Sequence, residues 1–224
     1  SIVPENDVYE LACRLQGICD VAKTLDAPVV PLTVGTTKKF WLINADTNEN
    51  FQVDATLLYI TPLTYFWAEE GVDVNEDDMK ALMDKFDQEI IPTNREFFGS
   101  EWTPGVDNDP HIYVLYVGGL GSNIGGYYSS SDEYNPLVRQ YSNGIEAFVL
   151  TSSQPLGDEY AYSTLAHEFV HMIQFPTDRN DVSWLSEGFA ELGAFLNGYD
   201  VGGADYYYVQ SPDLQLNDWA TNDS

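Results

Sequence analysis

The sequence is short of cations: nine Lys and Arg stand against 36 Asp and Glu in 224 residues, a formal charge of −27 at pH 7. Such a chain repels polyanions and has no basic stripe to neutralise phosphates, so nucleic acid and anionic membrane surfaces are poor partners. The acidity suits solubility, a saline setting, or divalent cations held by carboxylates. Cysteine is almost missing. Cys13 and Cys19, in "ACRLQGICD", either close a small loop near the amino end or remain two thiols. Zinc ligation by this pair is disfavoured, because Cys-built zinc sites use two to four intervening residues and a second pair elsewhere. No apolar run approaches the eighteen or more residues of a membrane span, and no signal peptide opens the chain; in an exported protein Ser1 would lie downstream of a removed leader. Repeats and low-complexity tracts are absent too. Apolar material is not lacking: 44% hydrophobic and 14% aromatic residues are enough for a sizeable core, in one large or two small domains.

Strand signals open at "KKFWLINA" (38–45) and continue through "FQVDATLLYITPLTYFWAEE" (51–70), with "NADTNEN" supplying hairpin chemistry between them. Before them, residues 1–35 read as a polar lead-in whose prolines argue for extended or edge structure. A helix is expected from about Asn75 to Phe97, kinked or ended by Pro92. Its start, "DVNEDD" (73–78), lacks the glycine and closing glutamate of a calcium loop and reads as a capped helix terminus. "PGVDNDPH" (104–111) reads as a turn into the strand "HIYVLYV", with calcium as a secondary candidate ion there. After a long Gly, Ser, Tyr and Asn loop, "IEAFVLT" (145–151) is the last strand. Helices are expected at 158–175, stopped by Pro176, and at 183–196, ended near Asn197 and Gly198. The division this suggests is a β-rich region over 1–70 and a catalytic domain over 71–224. From 202 to 224 the chain is polar and tyrosine-rich.

Chemistry concentrates in "STLAHEFVHMIQF" (163–175). On a helix, residues four apart lie one above the other, so His167 and His171 offer two imidazoles to one tetrahedral zinc. Glu168, between them, is placed to take a proton from a zinc-bound water and pass it to a leaving amine. The third ligand is sought downstream, in "DVSWLSEGFAELGAFL". Glu187 and Glu191, four apart on an otherwise apolar helix, would be costly there unless a positive group meets them. Glu187 then completes the ligand set, and Glu191 orients a ligand histidine. Gly188, Ala190, Gly193 and Ala194 are small enough to let the two helices approach closely. His111, the remaining histidine, is far upstream. An HExxH stretch alone is a weak signal, since buried histidines are commonly only hydrogen-bonded and helix glutamates solvated. The joint pattern of a His pair on one apolar helix and a Glu pair on the next is much harder to explain without a metal.

"HEFVHMIQF" followed by "WLSEGFAEL" resembles the gluzincin zinc metallopeptidases, most of all the secreted bacterial hyicolysin-type and immune-inhibitor-A-type enzymes. The resemblance is specific over 163–196 and weaker over 38–151. It implies an α+β, zincin-like fold, with a mixed sheet packed on the HExxH helix and a second, Glu-bearing helix. It also implies one catalytic Zn²⁺ held by His167, His171 and Glu187, Glu168 as general base, and Glu191 in support. A protein or peptide substrate would be cleaved outside the cell. The extended substrate would pair with an edge strand supplied by "IEAFVLT" or by the segment near "GGYYSSS". Gluzincin catalytic domains continue into a helical subdomain bearing an oxyanion-stabilising Tyr or His, whereas 33 residues follow Glu191 in the 224-residue chain. That subdomain is therefore expected to be absent or truncated: either the sequence is a fragment of a longer protein, or a tyrosine such as Tyr127, Tyr128 or Tyr207 serves. The Gly-x-Met-Glu-Asn motif of the aminopeptidase branch is missing, which favours an endopeptidase. Two other readings remain: a secreted module that keeps zinc without turnover, and a calcium-dependent adhesion or carbohydrate-binding domain.

Overall fold

The computed structural model describes residues 7–26, 31–177 and 183–200. The fold is α+β, and the chain divides into two compact units, one of residues 1–74 and 103–153, the other of 75–102 and 154–224.

In the first unit the sheet signals form six strands: β1 (Thr37–Ile43), β2 (Asn50–Ile60), β3 (Thr64–Glu69), β4 (Ile112–Val117), β5 (Gly126–Tyr128) and β6 (Ala147–Thr151). They lie in the order β1-β2-β3-β4-β6-β5. The β1-β2-β3 meander is antiparallel, β3-β4 and β4-β6 are parallel, and β5 returns antiparallel on β6. The first hairpin turns where expected: Asn44 Oδ1 accepts from the N–H groups of Asp46 and Thr47, and Asn48 takes the left-handed conformation that Asn tolerates. Alternate residues Phe40, Leu42, Val53, Ala55, Leu57, Tyr65, Trp67, Tyr113, Leu115, Ala147 and Val149 share one face and build the core. The sheet curls until its two ends meet. The Ile43 N–H of β1 donates to the Tyr127 hydroxyl of β5 at 3.2 Å, and the Asn143 amide pairs with both the N–H and C=O of Trp41, at 2.7 and 2.8 Å.

Sequence reading missed a helix, α1 (Val8–Gln16). Its signals were present: Asp7 caps the N–H groups of Tyr9 and Glu10, Gly17 ends it at φ 74°, and Glu10 pairs with Arg14. Cys13 and Cys19, left open between thiols and a bridge, are disulfide-bonded.

This unit also buries acids. Asp107, Asp132, Glu133 and Glu146 are each less than a tenth exposed. Tyrosine hydroxyls, rather than cations, meet several carboxylates: Tyr113 donates to Asp107, Tyr65 to Asp109 and Tyr128 to Glu133. Within "PGVDNDPH", Asp107 and Asp109 turn onto the loop's own N–H groups, at Asp109 and His111, which supports the turn reading and gives calcium none. Glu146 accepts the Val106 N–H with Oε1, while Oε2 lies against Gly105, where an added Cβ would stand 2.0 Å away, and has no hydrogen-bond partner among the described residues.

In the second unit the helix expected over 75–97 is broken, though not at Pro92 itself. α2 (Glu76–Lys85) starts at the Asn75 cap, a π-helical stretch follows over Phe86–Ile90, and α3 runs Ile91–Phe98. Pro92 has no N–H and its ring would strike the carbonyl four residues back. The ladder widens instead, and the Ile91 N–H reaches the Phe86 carbonyl, five residues earlier. α4 (Glu159–Gln174) and α5 (Ser183–Leu196) match the expected helices. Leu165, Phe169, Val170, Met172 and Ile173 of α4 are fully buried, and Phe169 meets Phe86 edge to face at 5.7 Å. Each such side chain contributes about 1.5–3 kcal/mol relative to exposure. The polar stretch from 202 lies outside the described residues.

Candidate metal centre

α4 presents His167 and His171 one turn apart, with ring centroids 5.0 Å apart and both rings less than a fifth exposed. Their Nε2 atoms face each other at 3.3 Å. Across from them α5 brings Glu187, with Oε2 3.3 Å from His167 Nε2 and Oε1 3.6 Å from His171 Nε2. Ligand atoms about 2.0–2.1 Å from a tetrahedral zinc stand about 3.3–3.4 Å from one another, so these separations fit the ion closely. Among the described residues this trio is the His, Cys, Asp or Glu group spaced to hold a metal.

The histidines are prepared for coordination. Burial and the neighbouring His171 push the His167 pKa below its ordinary value, against the opposing pull of Glu187. The imidazole is therefore neutral at pH 7, with a lone pair free to bind a cation. Its other nitrogen, Nδ1, lies 3.5 Å from Glu191 Oε1. Burial, then the charge of Glu187, raises the Glu191 pKa. Glu168 follows His167 on α4 and is partly exposed.

Small residues set the spacing of the two helices. Ala190, Gly193 and Ala194 are buried, Gly193 against α4, whereas a Cβ on Gly188 would meet nothing within 4 Å, so Gly188 plays no part in the close approach expected of it. At Gly193 an added Cβ would stand 2.3 Å from Val170 Cγ2 and 3.3 Å from the Ala166 carbonyl. Helix propensity favours Ala over Gly by about 1 kcal/mol, but overpacking costs about 1–3 kcal/mol. Gly193→Ala should thus lower the melting temperature, as differential scanning calorimetry would read; an increase would mean that α5 is not held this tightly.

Sequence reasoning missed a buried amide behind the centre. Asn94 of α3, fully buried, donates to the Ala166 carbonyl at 2.8 Å and accepts from Asn197 at 2.7 Å, while Asn197 also holds the Gly193 carbonyl. One residue thereby ties the backbone beside His167 to the end of α5. No sequence signal distinguishes this Asn from one at a helix surface. His111 is engaged elsewhere, stacked on Tyr65 and bonded through Nδ1 to Asp109. Of the oxyanion candidates, Tyr127 accepts from Ile43 N–H, Tyr128 donates to Glu133, and Tyr207 lies outside the described residues.

Two imidazoles and a carboxylate converging from adjacent helices define a candidate metal centre. Over 229 residues the chain is 28% identical to the neutral metalloprotease ShpI of Staphylococcus hyicus, a match covering 93% of this chain and 48% of that protein. This similarity supports a metalloprotease relationship, and the chain spans about half the length of the curated relative it matches. No family model matches the sequence. No described helix is long and apolar enough to cross a membrane.

Proposed function

We propose that the chain carries the catalytic centre of a zinc-dependent endopeptidase of the gluzincin kind, zincin-like in fold and acting on proteins or peptides outside the cell. The observation that carries this reading is the convergence of His167, His171 and Glu187 at tetrahedral ligand spacing. When bound there, zinc supplies Lewis acidity toward a scissile carbonyl. The chain's own residues do the rest. Glu168 takes a proton from the attacking water and delivers it to the departing amine. Glu191 keeps His167 in the tautomer whose Nε2 is unprotonated, and Asn94 holds the helix that bears it.

Metal content by mass spectrometry, with casein hydrolysis followed with and without a chelator, tests the proposal. One zinc per chain and chelator-sensitive cleavage are expected. Zinc without cleavage would favour the binding module, and no zinc would end the reading. Glu187→Ala should leave less than one zinc per ten chains at micromolar metal; full occupancy in that variant would remove Glu187 from the ligand set.

A further inference from the structure

Among the described residues, the Nδ1 of His171 faces no carboxylate like the one His167 meets at Glu191. It lies 3.1 Å from Ser186 Oγ and 3.3 Å from Gln174 Oε1, and the Ser186 hydroxyl itself donates to Gln174 Oε1 at 2.8 Å. Gln174 stands three residues after His171 on α4, and Ser186 immediately precedes Glu187 on α5. The same helix contact that brings Glu187 to the imidazoles therefore also closes this triangle.

We infer that Gln174 and Ser186 form a hydroxyl-amide clasp that positions His171 as a metal ligand and fixes its tautomer. The inference rests on the zinc reading above. A serine hydroxyl alone can donate to or accept from an imidazole nitrogen, so it does not select a tautomer. An amide oxygen only accepts. By taking the Ser186 proton, Gln174 Oε1 leaves the hydroxyl lone pairs toward His171, and Nδ1 must carry hydrogen. Nε2 is then the bare nitrogen, and it is Nε2 that faces His167 and Glu187. The two histidines are thus secured differently, one by a carboxylate and one by neutral groups.

The test uses zinc as the probe, titrated against a chromophoric chelator. Ser186→Ala and Gln174→Leu are each expected to weaken zinc affinity by about 10–100-fold. Because the two act in series, the double variant should be no weaker than the worse single, and Ser186→Thr, which keeps the hydroxyl, should restore affinity to within a few-fold. The metal-free proteins should melt like the parent, and ¹⁵N spectra should show His171 Nδ1 protonated in the parent and mixed in Gln174→Leu. Unchanged affinity, additive losses, or a loss matched by a lower melting temperature of the metal-free form would overturn the clasp. A parent protein that binds no zinc would overturn the zinc reading and the clasp together, whereas a parent that binds it beside variants that bind equally would overturn only the clasp.

Discussion

Replacing Glu168 by Gln is expected to lower casein hydrolysis by about 10²- to 10⁴-fold while zinc stays bound, the span that a positioned general base contributes. Gln keeps the size and one hydrogen-bonding oxygen but cannot accept the water's proton at neutral pH. The three groups at ligand spacing are His167, His171 and Glu187, and none of them is altered, so metal stoichiometry should remain one per chain. Measuring kcat/KM beside zinc content separates the possible faults. Full activity in this variant would remove Glu168 from the chemistry, while lost zinc would make it a ligand or a support.

A second large effect is expected in stability against pH. Burial raises the pKa of Asp107 to about 6, of Asp132 to about 7 and of Glu146 to about 9, with Lys38 partly opposing the shift at the two aspartates. For an acid whose folded pKa is raised, the native state holds a proton that the unfolded chain has released. Stability is therefore greatest below the ordinary carboxylate pKa and falls as pH climbs through the folded one. Each retained proton costs about 1.4 kcal/mol per pH unit, so urea midpoints should decline from pH 5 to 9, with Glu146 acting over the widest range. Glu146→Gln keeps the acceptor for Val106 N–H and removes the titration. That variant should be more stable than the parent at pH 9 and show a shallower decline. A parent whose midpoint rises toward pH 9, or a variant with an identical slope, would count against the buried acid.

The helices of the candidate centre were legible because helical periodicity and chemistry coincide there. Apolar residues at 165, 169, 172 and 173 bury one side of α4, and a His pair four apart on such a helix stands out. The strands were legible for a similar reason, being rich in aromatic and β-branched residues between turn signals. α1 was missed because the cysteine pair and the prolines that follow dominated the reading of the lead-in, although six of the nine residues of "VYELACRLQ" are apolar; only Ala12 among them is buried. The π-helical stretch was foreshadowed by Pro92, but its place before the proline depends on where the ladder widens. The buried acids could not be read at all. In a chain with 36 Asp and Glu, nothing in the sequence marks the six that are buried among the described residues, since burial is decided by how the chain packs around them. Gln174, Ser186 and Asn94 were illegible in the same way: each is an ordinary polar residue whose role is set by a neighbouring helix.

The Asn143 amide on Trp41 has a consequence for the company this protein keeps. An unpaired strand margin invites any other extended chain to add itself, including another copy of the same molecule. Here a side chain imitates the missing neighbour, filling both backbone groups of Trp41, and the Tyr127 hydroxyl fills the next N–H at Ile43. Such a stopper closes this margin to recruitment, and stacking of copies into ribbons through β1 is blocked by two side chains.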